Sequence, residues 1–468
     1  MKPLSRNILS LSTAELVSRF LGFLAVAYLA RKLGPSSMGV LAVGMAILTY
    51  ATIFGDAGLP LLGTRQVAGQ TTIPRSFAKK ILTSRMMLSI AVVIITGTVI
   101  HLLVQDSTTR KVATVYLVSL LPSALLLDWL FQGLGRMVTL SFGKIVAMAV
   151  YLTWIVGLVS TQAHLILVPV GWIAGIGAHA ATLAWAYRKL PGDLHALDPD
   201  ARGRKQLIRT GIPLGLAGLV AQVVIQFPFL YLGFNVSRED AGLYSVAYRG
   251  IVLMLILDRV FYTLFFPSIR KSFARGLKNL QQRFERTLKL VVTGGFYLGV
   301  LAILGADAVF PFVFGTEFTE STLIFQLLVP YFVLTLMNSV FTFTLIASEN
   351  EVSYTRSLAA GALGFFAVIL LPLPMTPTLQ VPVALTVFQA VSLVAMLRRM
   401  REIAPVDMLR PVLLPLLTST LLVGILSAWH HHAPLLSLGL ALVAGMPLIG
   451  WSAGVKREDL LELRKILV

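Results

Sequence analysis

Ionisable side chains within long apolar stretches are the residues of this sequence best placed to do chemistry. A charged group in a membrane-spanning segment costs about 2.5–3.5 kcal/mol on insertion scales, so each one is a candidate functional residue. They are Glu15, Arg19, Asp56, Asp128, Asp258 and Arg259, with Arg85 and Arg249 nearer the ends of their stretches. Because a guanidinium stays charged and binds phosphate oxygens in pairs, Arg19 and Arg259 are candidate groups for binding an anion.

The spacing of these groups leaves two interpretations open for each. Glu15 and Arg19 are four residues apart and share one helix face, so they either neutralise each other or leave Arg19 to meet a ligand. Asp56 either caps the turn that follows it or pairs with Arg65. The carboxylate of Asp128 stands beside Trp129, which favours a structural role at the membrane interface.

Two glutamines with helical spacing are further candidates. Gln222 and Gln226 are four residues apart in an apolar stretch, so their side chains lie on one face of a helix. This pair suits either hydrogen bonding to the hydroxyl groups of a sugar or a hydrogen bond between helices.

Several kinds of chemistry are excluded or disfavoured by what the sequence lacks. There is no cysteine, which excludes disulfides, thiolate metal sites and cysteine nucleophiles. No phosphate-binding loop of the GxxxxGK[ST] type, HExxH or GxSxG pattern is present. Three consecutive imidazoles at 430–432 point in different directions and make a poor metal site. We therefore predict no enzyme activity, no metal and no cofactor.

Composition identifies lipid as the main solvent of this chain. Of its 468 residues 56% are hydrophobic and 13% charged, and the mean hydropathy is +0.83, whereas a soluble domain has about 25% charged residues. Fourteen apolar stretches approach the length of about 20 residues that crosses a bilayer. The predicted fold is an all-α polytopic membrane protein with about fourteen transmembrane helices.

The distribution of positive charge predicts the topology. With the N-terminus in the cytoplasm, thirty of the 39 Lys and Arg residues fall on the cytoplasmic side and five on the other. This asymmetry agrees with the positive-inside rule and places both termini in the cytoplasm. It also accounts for the net charge of +18 without a nucleic-acid partner.

A weak internal repeat suggests two related halves. Residues 34–43 read GPSSMGVLAV, and residues 237–246, offset by 203, read SREDAGLYSV. Both place a polar turn before a small residue, a glycine and an apolar helix start. Parallel repeats are a recurrent plan of transporters, with the substrate site between them. The predicted organisation is a six-helix lobe at 1–187, a cytoplasmic linker at 188–209, a second six-helix lobe at 210–400, and two extra helices with a cytoplasmic tail at 401–468.

The opening 70 residues resemble the polysaccharide (O-antigen, Wzx-type) flippases. These belong to the superfamily that also contains the lipid II flippases and the MATE drug exporters. The similar segments are Ser18–Gly22 (SRFLG), Ala30–Pro35 (ARKLGP), Gly39, Asp56–Leu59 (DAGL) followed by Arg65, and Ala241–Arg249 (AGLYSVAYR) in the second half.

This resemblance implies a fold, a substrate and partners. The fold would be a V-shaped pair of six-helix bundles with a central cavity that opens alternately to either side. The substrate would be an undecaprenyl-diphosphate-linked oligosaccharide at the inner membrane of a bacterium, with a polysaccharide polymerase and a chain-length regulator as partners. A proton or sodium ion would drive transport through Glu15 or Asp56. The candidate cavity residues are then Arg19, Glu15, Arg259, Asp56, Arg249, Gln222 and Gln226.

Two alternative functions stay open. A MATE-like exporter of cationic drugs would favour acidic cavity residues, whereas Arg19 and Arg259 add positive charge. A membrane glycan polymerase or ligase usually has a large outer loop, whereas the predicted outer loops are short.

Overall fold

The computed structural model describes residues 3–68, 73–190, 192–193, 203–403, 408–430, 433–456 and 458–459. These residues pack into two compact units, 1–246 and 247–468. The border between the units lies within a helix, downstream of the linker predicted at 188–209. The lobe boundaries at 187 and 210 stay predictions. Residues 457 and 460–468 of the predicted cytoplasmic tail lie outside the described residues.

The described residues of the first unit form nine helices and the start of a tenth. They are α1 (Pro3–Asp56), α2 (Leu59–Val67), α3 (Arg75–Leu103), α4 (Ser107–Val118), α5 (Leu120–Ala124), α6 (Asp128–Gly133), α7 (Met137–Leu158), α8 (Leu167–Arg188), α9 (Arg204–Asn235) and α10 (Arg238–Met254). Two strands of two residues each, Ile73–Pro74 and Gly192–Asp193, pair in parallel. A 3₁₀ turn at Gln162–His164 precedes α8.

The long helix α1 contains two of the predicted spans, joined at a kink. Gly34 has a φ of 72°, which lies in the left-handed region that favours glycine. Pro35 follows and restarts the helix, because proline suits a first helical turn. The second part of α1 therefore runs from Pro35 to Asp56 and ends near Gly58, which also has a positive φ.

In the second unit, the part of the chain that the structure describes contains the end of α10 and seven further helices. They are α11 (Ile256–Ala274), α12 (Leu277–Phe314), α13 (Ser321–Ala347), α14 (Glu351–Leu370), α15 (Pro377–Ile403), α16 (Leu414–His430) and α17 (Pro434–Ser452). Short 3₁₀ and π segments occupy Thr316–Phe318 and Leu409–Leu413. The last two helices pack on α12, where the hydroxyl of Tyr297 donates to the carbonyl of Leu442 at 3.1 Å.

Eleven helices in the described part of the chain are long and apolar enough to cross a membrane. Large apolar side chains on them are exposed, including Leu102, Leu370 and Trp451, of which the last is 84% exposed. Such surfaces suit lipid tails. The chain is a multi-pass α-helical membrane protein, and the prediction of that class is confirmed. The number of fourteen transmembrane helices stays a prediction. The helix α1 counts once among the eleven, although it contains two of the predicted spans.

The two sequence repeats contact each other inside the first unit. A Cβ added to Gly39 would lie 1.8 Å from the carbonyl oxygen of Arg238, and one added to Gly242 would lie 1.9 Å from that of Pro35. Helix backbones approach this closely only where side chains are absent. The offset of 203 relates Pro35 to Arg238 and Gly39 to Gly242, so the two contacts are reciprocal.

An ion pair lies beside this crossing. Asp106, in the loop between α3 and α4, accepts from the guanidinium of Arg238 at 2.5 Å and from the backbone N–H of Thr109 at 2.6 Å. Burial raises the pKa of the Asp106 carboxyl, but the hydrogen bonds from Thr109 and the charge of Arg238 outweigh it, and the pKa is lowered. The ionised carboxylate therefore caps α4 and holds α10.

The lowered pKa of Asp106 predicts an acid-sensitive contribution to stability. This contribution is present above the unfolded pKa of about 3.9 and is lost as the pH falls through the lower folded pKa. We expect Asp106→Asn to unfold at a lower temperature than wild type at pH 7. The difference in melting temperature should shrink below about pH 4. A difference that stays constant down to pH 2 would contradict this account. Thermal unfolding in detergent across that pH range measures it.

Candidate functional site

The first unit contains an open cavity of about 720 Å³. Its walls come from α1, α3, α6, α7 and α8, with single residues of α2, α5, α9 and the segment that joins α5 to α6. The ionisable residues that line it are Asp56, Arg85, Asp128, Lys144 and His179. A volume of this size is typical of sites for organic ligands.

Asp56 is held by Arg85 at one side of this cavity. Nε and Nη2 of Arg85 donate to the same carboxylate oxygen at 2.9 and 2.7 Å. Nη1 of Arg85 donates to the backbone carbonyl of Leu126 at 2.9 Å, and Nη2 also donates to the carbonyl of Ser123 at 3.1 Å. The Arg85 side chain is 6% exposed, so its charge is neutralised within the protein and it is a structural cation.

This arrangement corrects the interpretation of Asp56 made from the sequence. The carboxylate pairs with Arg85 of α3, 29 residues away, and Arg65 is exposed. Proximity along the chain favoured Arg65, whereas packing of α3 against α1 brings Arg85 to the end of α1. The carboxylate still lines the cavity and keeps 28% of its side chain exposed.

Asp128 and His179 face each other in the cavity wall. The ring Nε2 of His179 lies 3.3 Å from Oδ1 of Asp128, but neither atom has a partner in hydrogen-bonding geometry. The ring packs against Gly143, where an added Cβ would lie 2.7 Å from Cδ2 of His179. The absence of a side chain at Gly143 therefore lets the imidazole enter between α7 and α8.

Lys144 is a cation of the cavity wall that has no ion pair with any carboxylate of the described residues. It lines the cavity from the first turns of α7 and is half-buried. Within the described part of the chain it forms no hydrogen bond or ion pair. A half-buried ammonium in an apolar helix is electrostatically suited to an anionic ligand.

Aromatic rings form part of the same wall. Tyr151 and Trp172 pack edge to face with ring centroids 5.6 Å apart, and both line the cavity. Trp129 also lines it and packs edge to face on Phe77 at 6.1 Å. The cavity thus combines the ammonium of Lys144 with flat apolar surfaces.

The structure places some of the predicted site residues in this cavity. Asp56 and Gln222 line it, and Ser18, the neighbour of Arg19, does as well. Among the described residues, Arg19 and Gln226 are not part of the lining, and Arg249 is exposed on α10. The side chains of Glu15 and Arg259 lie outside the described ones.

Lys144 and His179 were not among the sequence candidates. Lys144 lies within α7, which begins at Met137, and it was not recognised from the sequence as a charge inside a membrane-spanning stretch. A lysine followed by an uninterrupted apolar run is the signal that was available for it. Within the described residues, no group of three or more His, Asp or Glu side chains is arranged to hold a metal ion.

Comparison with known proteins gives a consistent family and fold. A family model described as polysaccharide biosynthesis protein matches residues 4–273. The chain is 22% identical over 335 residues to the probable low-salt glycan biosynthesis flippase Agl15 of Haloferax volcanii, covering 69% of this chain and 68% of that protein.

Two solved structures have a similar fold. The lipid II flippase MurJ in an inward closed conformation has a TM-score of 0.74 at 13% identity, covering 96% of this chain and 99% of its own. An inward-facing multidrug resistance MATE family transporter of the MOP superfamily has a TM-score of 0.61 at 13% identity, covering 82% and 94%. At these identities the likeness concerns the fold alone.

Proposed function

Because this chain belongs to the polysaccharide biosynthesis protein family, we propose that it moves a lipid-linked oligosaccharide from one leaflet of a membrane to the other. The resemblance to polysaccharide flippases noted from the sequence is confirmed by that membership. The observation that carries the proposal is Lys144, which lines a cavity of a membrane-spanning unit and has no ion pair among the described residues. A polar glycan does not cross about 30 Å of hydrocarbon unaided.

The ligand that fits this site is the diphosphate and sugar headgroup of a polyprenyl lipid. The ammonium of Lys144 binds a phosphate oxygen, and the sugar lies against the aromatic wall of Tyr151 and Trp172. Gln222 offers hydrogen bonds to sugar hydroxyls. The polyprenyl chain stays in lipid, where its burial costs nothing. The headgroup is then released on the other side by alternating access.

The energy source in this proposal is a proton or sodium gradient. Of the two carboxylates proposed to carry the ion, Asp56 accepts two hydrogen bonds from Arg85, while the Glu15 side chain lies outside the described ones. The protein makes and breaks no covalent bond. Its place is the inner membrane of a bacterium, with both termini in the cytoplasm, beside a polysaccharide polymerase and a chain-length regulator.

A MATE-like exporter of cations is the second candidate. The carboxylates of Asp56 and Asp128 in the cavity favour it, as does the fold shared with a MATE transporter. The pairing of Asp56 with Arg85 argues against the exporter, because the negative charge of Asp56 is already neutralised.

A reconstituted flip assay tests the proposal. Purified protein is placed in vesicles with an undecaprenyl-diphosphate-linked oligosaccharide, and the loss of inward-facing sugar is followed with membrane-impermeant periodate. We expect faster exposure of sugar than in protein-free vesicles, and no uptake of a labelled organic cation. Cation uptake, with sugar exposure equal to that of protein-free vesicles, would replace the flippase with the exporter.

A further inference from the structure

We propose that His179 is a second anion-binding residue of the cavity, and that it binds the lipid headgroup in its protonated form with Asp128 as its counter-charge. Lys144 and His179 then contact one phosphate each of a diphosphate lipid. The inference rests on the proposed function for the identity of the lipid. It adds a specificity for a diphosphate over a monophosphate, and a proton that is taken up with the headgroup.

The imidazole of His179 is a buried polar group whose outer nitrogen lacks a hydrogen bond. The residue is 7% exposed, and its Nε2 has no partner in hydrogen-bonding geometry among the described residues. Nε2 lies 3.3 Å from Oδ1 of Asp128, which is close enough for an ion pair once the ring carries a second proton. Because buried polar groups are normally hydrogen-bonded, this nitrogen points to a ligand that supplies an acceptor.

The same nitrogen lies beside the backbone that carries Lys144. A Cβ added to Gly143, the preceding residue, would lie 2.7 Å from Cδ2 and 3.0 Å from Nε2 of His179. The edge of the ring that contains Nε2 therefore faces α7 next to Lys144, and both side chains line one cavity. An ammonium and an imidazolium offer only donors. Two such donors side by side suit the acceptor oxygens of phosphate groups.

The charges of the cavity wall favour protonation of His179 when an anion binds. Asp56 and Arg85 neutralise each other. The other two charged residues of the described lining are Asp128 and Lys144, whose charges cancel while His179 is neutral. A proton on His179 compensates Asp128 and leaves the charge of Lys144 for the anion. An anionic headgroup therefore binds the protonated cavity more tightly, and by reciprocity its binding draws a proton onto the imidazole.

His179 is the group of this cavity that titrates between pH 5 and 8. Its helix α8 packs on α4, α5 and α7 and faces Asp128 of α6. Apart from Asp128 and Lys144, the titratable side chains on these helices are Arg110, Lys111, Tyr116, Tyr151, Tyr187 and Arg188. Of this set, Tyr151 is the one found in the described lining, and an ordinary phenol titrates at about pH 10. Imidazole is the side chain whose ordinary titration falls within that range.

Proton uptake on binding tests the inference in the wild-type protein. Undecaprenyl-diphosphoryl-N-acetylglucosamine is titrated in a calorimeter into purified protein in detergent, at pH 7, in two buffers with different heats of ionisation. Both phosphates of this lipid are esterified and stay ionised, so a proton taken up goes to the protein. We expect net uptake of at most one proton per lipid bound. Equal heats in the two buffers would overturn the inference.

The pH profile of binding assigns the proton to His179. We expect the wild-type affinity for the diphosphate lipid to fall about tenfold from pH 5.5 to pH 8.5, because deprotonation removes a charge-assisted hydrogen bond. His179→Gln should bind at every pH about as weakly as wild type does at pH 8.5. His101→Gln, which removes an exposed imidazole at the end of α3, is the matched control and should keep the wild-type profile. A wild-type profile in His179→Gln would contradict the assignment.

Asp128→Asn separates an electrostatic role of this carboxylate from a structural one. The amide keeps the shape of the side chain and removes the negative charge that opposes the anion. We expect the variant to bind the diphosphate lipid more tightly than wild type at pH 8.5, with a smaller dependence on pH. Loss of a structural contact would instead weaken binding at every pH, and that result would refute the role of Asp128 as counter-charge.

A monophosphate lipid tests the specificity. Undecaprenyl-phosphoryl-N-acetylglucosamine has one phosphate, so it lacks the contact with His179. We expect it to bind at least about tenfold more weakly than the diphosphate lipid at pH 6, and the ratio to fall below about threefold in His179→Gln. An equal ratio in both proteins would count against the second phosphate contact.

These binding measurements separate the inference from the proposed function, because they need no flipping. Flipping at a normal rate without proton uptake on binding would overturn the inference alone. Proton-linked binding of the diphosphate lipid without flipping would overturn the proposed function alone.

Discussion

Replacing Arg85 with alanine is expected to lower the free energy of unfolding by about 3–5 kcal/mol, the usual cost of breaking a buried ion pair. Four hydrogen bonds from this guanidinium join α3 to Asp56 and to the carbonyls of Ser123 and Leu126. Without it, a carboxylate and two carbonyls in the membrane-spanning unit lose their donors. Denaturant unfolding in detergent, monitored by circular dichroism, measures the loss.

Arg65→Ala is the matched control for this prediction. Arg65 is exposed, and exposed substitutions usually change stability by less than about 0.5 kcal/mol. The double variant Asp56→Ala/Arg85→Ala should cost less than the sum of the two single variants, because it removes the carboxylate together with its partner. If Arg85→Ala were as stable as Arg65→Ala, the pair would not hold the unit together.

Replacing Lys144 with alanine is expected to slow flipping by roughly 10- to 100-fold. A hydrogen bond to a charged group is worth about 1.5–3 kcal/mol, and each 1.36 kcal/mol is tenfold in rate. The effect appears in transport and leaves stability nearly unchanged, because the ammonium has no partner in the described chain to lose. The flip assay with a diphosphate-linked oligosaccharide measures it.

Two further variants decide whether the charge of Lys144 matters. Lys144→Arg keeps the charge and should flip within a few-fold of wild type. Lys278→Ala removes an exposed lysine of α12 and should have no effect on the rate. If a folded Lys144→Ala protein flips as fast as Lys278→Ala, the ammonium of Lys144 does not bind the headgroup.

The sequence was sufficient for the class of protein because that information is local. Apolar length predicts the helices, and the excess of basic residues in alternate loops predicts the topology. The segments 11–68 and 241–249 were enough to indicate the family. None of these features needs knowledge of which helix packs on which.

The site depended on packing that the sequence does not encode locally. In a soluble helix a polar face distinguishes outside from inside, but helices in lipid are apolar all round, so periodicity does not indicate which face meets a cavity. Arg19 and Lys144 therefore look alike in sequence, and only the packing of α7 against α1 and α8 places Lys144 in the cavity wall.

Sequence alone thus determined a membrane-embedded helical chain of the polysaccharide biosynthesis family, with a repeat offset of 203 residues. Tertiary structure decided that Asp56 binds Arg85, that Gly39 and Gly242 meet at one crossing, and that Lys144 lines the cavity. The physical reason is that charge neutralisation and close backbone approach depend on distances between helices far apart in the chain.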